Sequence, residues 1–155
     1  MRSTIRRLAL AAFLIGAFST QAVAQETVQM SLPMSVTFQV FNGPATATAT
    51  ISYANAILLP GHVLRIKALA DSVEFSGPSG NKIPASAVSW TTSNAQGGVG
   101  SSGTLSSSTA TIVFQSGLLP LSGSVELTFQ LNPPGNIHAG NHTMSLRWIM
   151  EAVNP

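Results

Sequence analysis

The residues able to do chemistry are few. His62, His138 and His142, one aspartate (Asp71) and four glutamates (Glu26, Glu74, Glu126, Glu151) are the whole supply of bases and acids. Cysteine is absent, which excludes thiol catalysis, thiolate-bound zinc and iron–sulfur clusters. A Ser–His–Asp relay needs a base and an orienting acid beside its nucleophile. Serines abound, but Asp71 is the only aspartate and no Gly-x-Ser-x-Gly elbow occurs. A glycoside-cleaving carboxylate pair would draw on Asp71, Glu74, Glu126 and Glu151, and Glu126 and Glu151 fall at outward positions of alternating segments. His138 and His142 stand four apart, a spacing that joins ligands on a helix. Here they flank Ala139-Gly140, so they read as surface or turn histidines. His62 opens a strand with no partner in view. Asp71 and Glu74, with Ser79 and Asn81, fall short of the roughly six to eight oxygens calcium takes. The expectation is no catalytic, metal or cofactor site, and no enzyme.

Aromatic residues offer one more chemistry. Tyr53, Trp90 and Trp148 could stack on a sugar, but Val88 and Trp90 share one face, as do Met144, Leu146, Trp148 and Met150, so both tryptophans read as core. Asn141-His-Thr143 matches a glycosylation sequon, relevant only where exported proteins are glycosylated.

Charge removes another class. Arg2, Arg6 and Arg7 precede the apolar run Leu8–Phe18, and Ala22-Val-Ala24 offers a cleavage site before Gln25. Residues 1–24 therefore read as a secretory signal peptide, too short in its apolar run to span a bilayer, which takes about 20 residues. Ile5-Arg6-Arg7-Leu8 is similar to a twin-arginine signal. Beyond it, Arg65, Lys67, Lys82 and Arg147 face five acids, a formal charge of −1. Four scattered cations exclude a nucleic-acid binder. No later stretch is apolar enough to span. The expected location is secreted or extracytoplasmic, at the periplasm or cell surface.

The remaining 131 residues suit one domain. Serine and threonine make up 30 of them, yet regular apolar positions argue against disorder. Val28, Met30, Leu32, Met34, Val36, Phe38 and Val40 alternate with polar residues and Pro33. That period of two marks one face of a strand. Pro33 breaks a ladder, so the run predicts two short strands, 27–32 and 34–41, or an edge strand that switches sheets. Further strands are predicted over 45–53, 62–69, 73–75, 87–92, 110–115, 124–131 and 143–153. Asn42-Gly-Pro44, Leu59-Pro-Gly61 and Asn132-Pro-Pro-Gly135 supply turns. Residues 77–81 read as a loop, and the Gly- and Ser-rich stretch 94–103 as a flexible one. The pattern predicts an all-β fold, an antiparallel immunoglobulin-like β-sandwich of seven to nine strands.

Two segments carry a family resemblance. The alternating run Val28–Val40, and Ala139-Gly-Asn-His-Thr-Met-Ser-Leu-Arg-Trp-Ile-Met150, resemble bacterial chaperone–usher pilins and surface-fibre subunits, including the archaic and spore-coat-like branches. His142 stands where that family has tyrosine, and the disulfide common there is absent. The resemblance implies an incomplete sandwich whose groove is filled by the N-terminal strand of the next subunit. Val28, Met30, Leu32 and Met34 would then be donor knobs, and Leu146, Trp148 and Met150 would line the groove. It further implies partners among copies of itself or other surface subunits, with a periplasmic chaperone. Residues 25–41 would form the donor segment and 42–155 the sandwich. Arg147-Trp-Ile-Met150 is also similar to the end of Trp-x-Leu cell-wall-binding domains, with Met150 at the leucine position.

Two functions remain open on these grounds. One is a structural subunit of a cell-surface fibre or coat. The other is a monomeric binding module for wall polymer, glycan or a surface protein, with the 94–103 and 76–82 loops as its contact surface.

Overall fold

Side-chain alternation gives the long strands a buried apolar face, and two such faces meet. The computed structural model describes residues 25–155, apart from Asn81 and Asn136; the expected signal peptide lies outside the described residues. The strands are β1 (Thr27–Ser31), β2 (Ser35–Val40), β3 (Ala45–Ile57), β4 (Val63–Ala70), β5 (Glu74–Ser76), β6 (Lys82–Pro84), β7 (Val88–Gln96), β8 (Gly98–Gly100), β9 (Gly103–Thr104), β10 (Thr111–Ser116), β11 (Gly123–Leu131) and β12 (Gly140–Val153). Only two single 3-10 turns, Pro78–Gly80 and Ala85–Ala87, interrupt this all-β pattern among the described residues.

One antiparallel sheet has the order β1-β3-β11-β7-β9, the other β2-β12-β4-β10-β8, and β5 and β6 form a separate hairpin. β3 and β11 pair without a slip from Tyr53↔Gly123 to Ala45↔Leu131. Their inward residues Ile51, Tyr53, Val125, Leu127, Phe129 and Leu131 are buried. The second sheet answers with Phe38, Leu64, Ile66, Phe114, Met144 and Leu146, which join the same core cluster. Trp90 lies within it, its ring centroid 6.5 Å from that of Phe129, and its indole N–H donates to Ser101 O at 2.8 Å. That bond matters because a buried N–H left unpaired is costly.

The strand count exceeds the expectation: twelve segments among the described residues, against seven to nine. The N-terminal run divides at Pro33 as expected, and the surplus comes from the short strands β6, β8 and β9. The 94–103 stretch, expected to be a flexible loop, is largely strand. Its glycines serve close packing. A Cβ on Gly103 would reach 2.5 Å from Trp90 Cζ2, so the backbone packs directly against the indole. Of the 76–82 segment, Ser76 ends β5, Pro78–Gly80 form a 3-10 turn and Lys82 opens β6.

His142 is not a surface or turn residue. It sits inside β12, fully buried, and its Nε2 donates to His138 O at 2.9 Å. Gly77 packs against the imidazole, where a Cβ would collide with the ring atoms Nδ1 and Cε1. Gly77→Ala should therefore lower stability by about 1–3 kcal/mol through overpacking. Urea unfolding would read this as a lower midpoint at unchanged slope.

Candidate functional site: the open edge of the last strand

β12 changes neighbours halfway along its length. Gly140–Ser145 pairs with β2, ending at Ser145↔Ser35. Leu146–Val153 pairs with β4 on the other side, from Leu146↔Ala70 to Val153↔Val63. Beyond Leu146, therefore, no strand covers the β2 side of β12 among the described residues. Pro33 explains the limit: it has no N–H for a ladder, and the chain, coming from β1 in the other sheet, crosses there before β2 begins. The crossover is pinned by two bonds. Leu146 N donates to Met34 O at 2.9 Å, and the Trp148 indole N–H donates to Pro33 O at 2.7 Å.

Backbone parity identifies the groups on the free edge. Ser145 O accepts from Asp71 N on the β4 side, and Leu146 N points to the β2 side. Successive residues alternate, so Trp148, Met150 and Ala152 direct their N–H and C=O groups outward. Beside this edge lies an open cleft of about 720 Å³, lined by Leu32, Met34, Leu146, Trp148 and Met150 with Asp71 and Arg147 at the rim. Met34 is 74% exposed and Met150 46%. An unpaired edge with exposed apolar side chains is a template for another strand.

Five of the seven expected partner-binding residues thus line one cleft. Val28 and Met30 do not. They belong to β1, which pairs with β3 of its own chain, Met30 opposite Tyr53. Val28, Met30 and Leu32 pack against the core but remain partly exposed. The 25–41 segment is thus part of both sheets: β1 borders one and β2 the other.

His62 has a partner after all. Its Nδ1 lies 2.8 Å from Glu26 Oε1, which also accepts from Leu59 N at 2.8 Å. Chiefly the Leu59 N–H, opposed by burial and helped by His62, holds the Glu26 carboxyl below the ordinary carboxylate range. A carboxylate with a lowered folded value stabilises fully above its unfolded value, and that contribution is lost as pH falls through the folded one. Glu26→Gln should be less stable than the parent near neutrality, and the two should converge on acidification. Denaturant midpoints at about pH 7 and about pH 3 would test it, and a constant gap would refute it.

Other candidate residues disperse. Asp71 binds Arg147 at 2.6 Å, Glu151 binds Lys67 at 2.7 Å, and Glu74 lies 3.8 Å from Lys82. Glu126 accepts from Asn94 at 2.7 Å on an exposed face. No group of three metal-ligating side chains occurs among the described residues. Sequence reasoning passed over one apolar surface. Leu118, Leu119 and Leu121 are exposed, Leu119 at 90%, and share a hollow with Leu58, Leu59 and Pro60. The uncharged run Gly117–Gly123 was the available signal. No helix among the described residues is long and apolar enough to cross a membrane.

No family model, curated protein or solved structure matches this chain.

Proposed function

We propose that this chain is an exported structural subunit of a cell-surface fibre or coat, built on an immunoglobulin-like sandwich, and that copies join by donating the N-terminal strand. The observation that carries the reading is the placement of β1. It packs Val28 and Met30, with Leu32 just beyond its end, against the core, pairs on one side only, and joins the rest of the chain through the Leu32–Met34 crossover. A strand so attached can serve its own β3 or a neighbour's. Repeated exchange then yields an open chain of subunits at little cost, because each contact formed equals one released. An added strand gains main-chain bonds and seats alternate side chains together.

Light scattering and negative-stain imaging of the 25–155 chain test this. Fibres or ladders are expected, and deletion of residues 25–34 should abolish them while leaving soluble protein. Polymers that persist after the deletion would exclude donation by that segment.

A second reading has its own observation: β1 is already paired within its chain. On that reading the protein is a monomeric extracytoplasmic binding module. Its contact surface would be the exposed leucine loops and the β12 cleft rather than the 94–103 stretch. A monomer that binds wall polymer or glycan, and loses binding on Leu119→Asp without losing its fold, would favour it.

A further inference from the structure

Five large apolar side chains are exposed together at one end of the sandwich. Ile57 ends β3 and Leu59 follows it in the loop to β4; Leu118, Leu119 and Leu121 belong to the loop between β10 and β11. We propose that this tip inserts into a lipid surface, with its leucines entering the boundary between headgroups and acyl chains. The inference rests on neither reading above: β1 keeps its place in the sheet, and no glycan takes part.

The two loops form one platform. Ala56 N donates to Leu121 O at 3.0 Å, and Gly117 N donates to Gly97 O at 3.0 Å, so each loop is braced against its neighbour. A single exposed leucine is ordinary, whereas a contiguous group of them marks an interaction site. The chemistry of the loops selects the partner. Neither 57–62 nor 117–122 holds a lysine, arginine, aspartate or glutamate. A protein partner is fixed in register by a polar rim and complementary charges. A bilayer asks only for apolar side chains and few unpaired backbone groups. The tip meets the second demand too. Pro60 and Pro120 carry no N–H. Leu59 N donates to Glu26 Oε1, and His62 N donates to Leu59 O at 3.0 Å. Glu26, beside the loops, is occupied by Leu59 and His62 and is only 26% exposed.

The course of the chain points the same way. Thr27 pairs with Ile57, so the sequence that precedes Gln25 enters at this tip. The apolar run Leu8–Phe18 ends seven residues before Gln25, a reach of at most about 25 Å. Whenever that run is held in a membrane, the domain stands within this tether of the bilayer and presents its leucine end first.

The test uses sucrose-loaded vesicles of pure phosphatidylcholine and the 25–155 chain, which holds the whole two-sheet core. The protein should sediment with the vesicles equally at low and high salt, because apolar insertion is not screened. Leu119→Asp should weaken the partition at least ~10-fold, and so should Leu121→Asp. Phe41→Ser is the control. Phe41 is 74% exposed but follows Val40, which pairs with Gly140 at the opposite end of β12 from the tip, so this variant should bind as the parent does. Unchanged urea midpoints are expected for all three, since each position is exposed. A second readout needs no loss of binding. The chain has no cysteine, so Leu119→Cys takes an environment-sensitive dye at that position alone. Its emission should shift to the blue on vesicles and be quenched by nitroxide-labelled acyl chains, while the same dye on Phe41→Cys should do neither. Absence of sedimentation with the vesicles, binding that needs added phosphatidylglycerol and vanishes in salt, or leucine variants that bind as the parent does would each overturn the proposal. So would a lipid-free dimer of the parent that Leu119→Asp dissociates, which would make a second copy the occupant. The variants leave residues 25–34 untouched, so a failure here and a failure of the fibre test are separate results.

Discussion

Trp90→Ala is expected to cost about 3–5 kcal/mol of folding stability, the largest loss foreseen for any single change here. Trp90 is 1% exposed and is the largest fully buried side chain of the core. It packs on Phe129, holds Ser101 through its N–H, and is approached closely by Gly103. Removing it opens a cavity, unpairs the half-buried Ser101 carbonyl and takes the support from β9. Domains of this size are stable by only about 5–15 kcal/mol, so the variant should melt many degrees lower or fail to accumulate. Thermal unfolding followed by near-ultraviolet circular dichroism would measure the loss, and a shift of a degree or two would show that the neighbours collapse into the space. The result also bears on function. Buried as it is, Trp90 cannot stack on a sugar, so any loss of binding in this variant would report unfolding rather than a missing contact.

The second large effect is all-or-none. Ser31→Cys with Ser52→Cys should place a disulfide between β1 and β3, because these residues are direct cross-strand partners. Facing antiparallel residues have Cα atoms about 4.5–5.5 Å apart, within the range a disulfide spans. The chain has no cysteine of its own, so no mispairing competes. Oxidised before assembly, β1 is tied to its own β3 and cannot be donated; fibres should vanish and return on reduction. Fibres that grow equally in oxidant and reductant would rule out exchange of β1.

Much of this molecule is legible along the chain, and the reason is local. Alternation over 28–40, 45–53, 124–131 and 143–153 is a property of neighbouring residues, so the all-β character follows without knowing what pairs with what. Pro33 likewise marks the break between β1 and β2 because a missing N–H is a local fact. The 94–103 stretch misled because glycine there serves close approach to Trp90 rather than freedom, and that approach is visible only in three dimensions.

What the tertiary structure alone decided is pairing. Residues far apart in sequence must meet for Glu26 to find His62, for β2 to take the first half of β12 and β4 the second, and for His142 to be enclosed above Gly77. The Arg147-Trp-Ile-Met-Glu151 segment was readable as an alternating strand. That its edge is left free, with Trp148 and Met150 presenting their backbone groups, depends on where β2 stops, more than a hundred residues earlier. A period of two assigns side chains to faces. It says nothing about which edge is covered, because edges are settled by backbone hydrogen bonds between strands that the sequence does not place side by side.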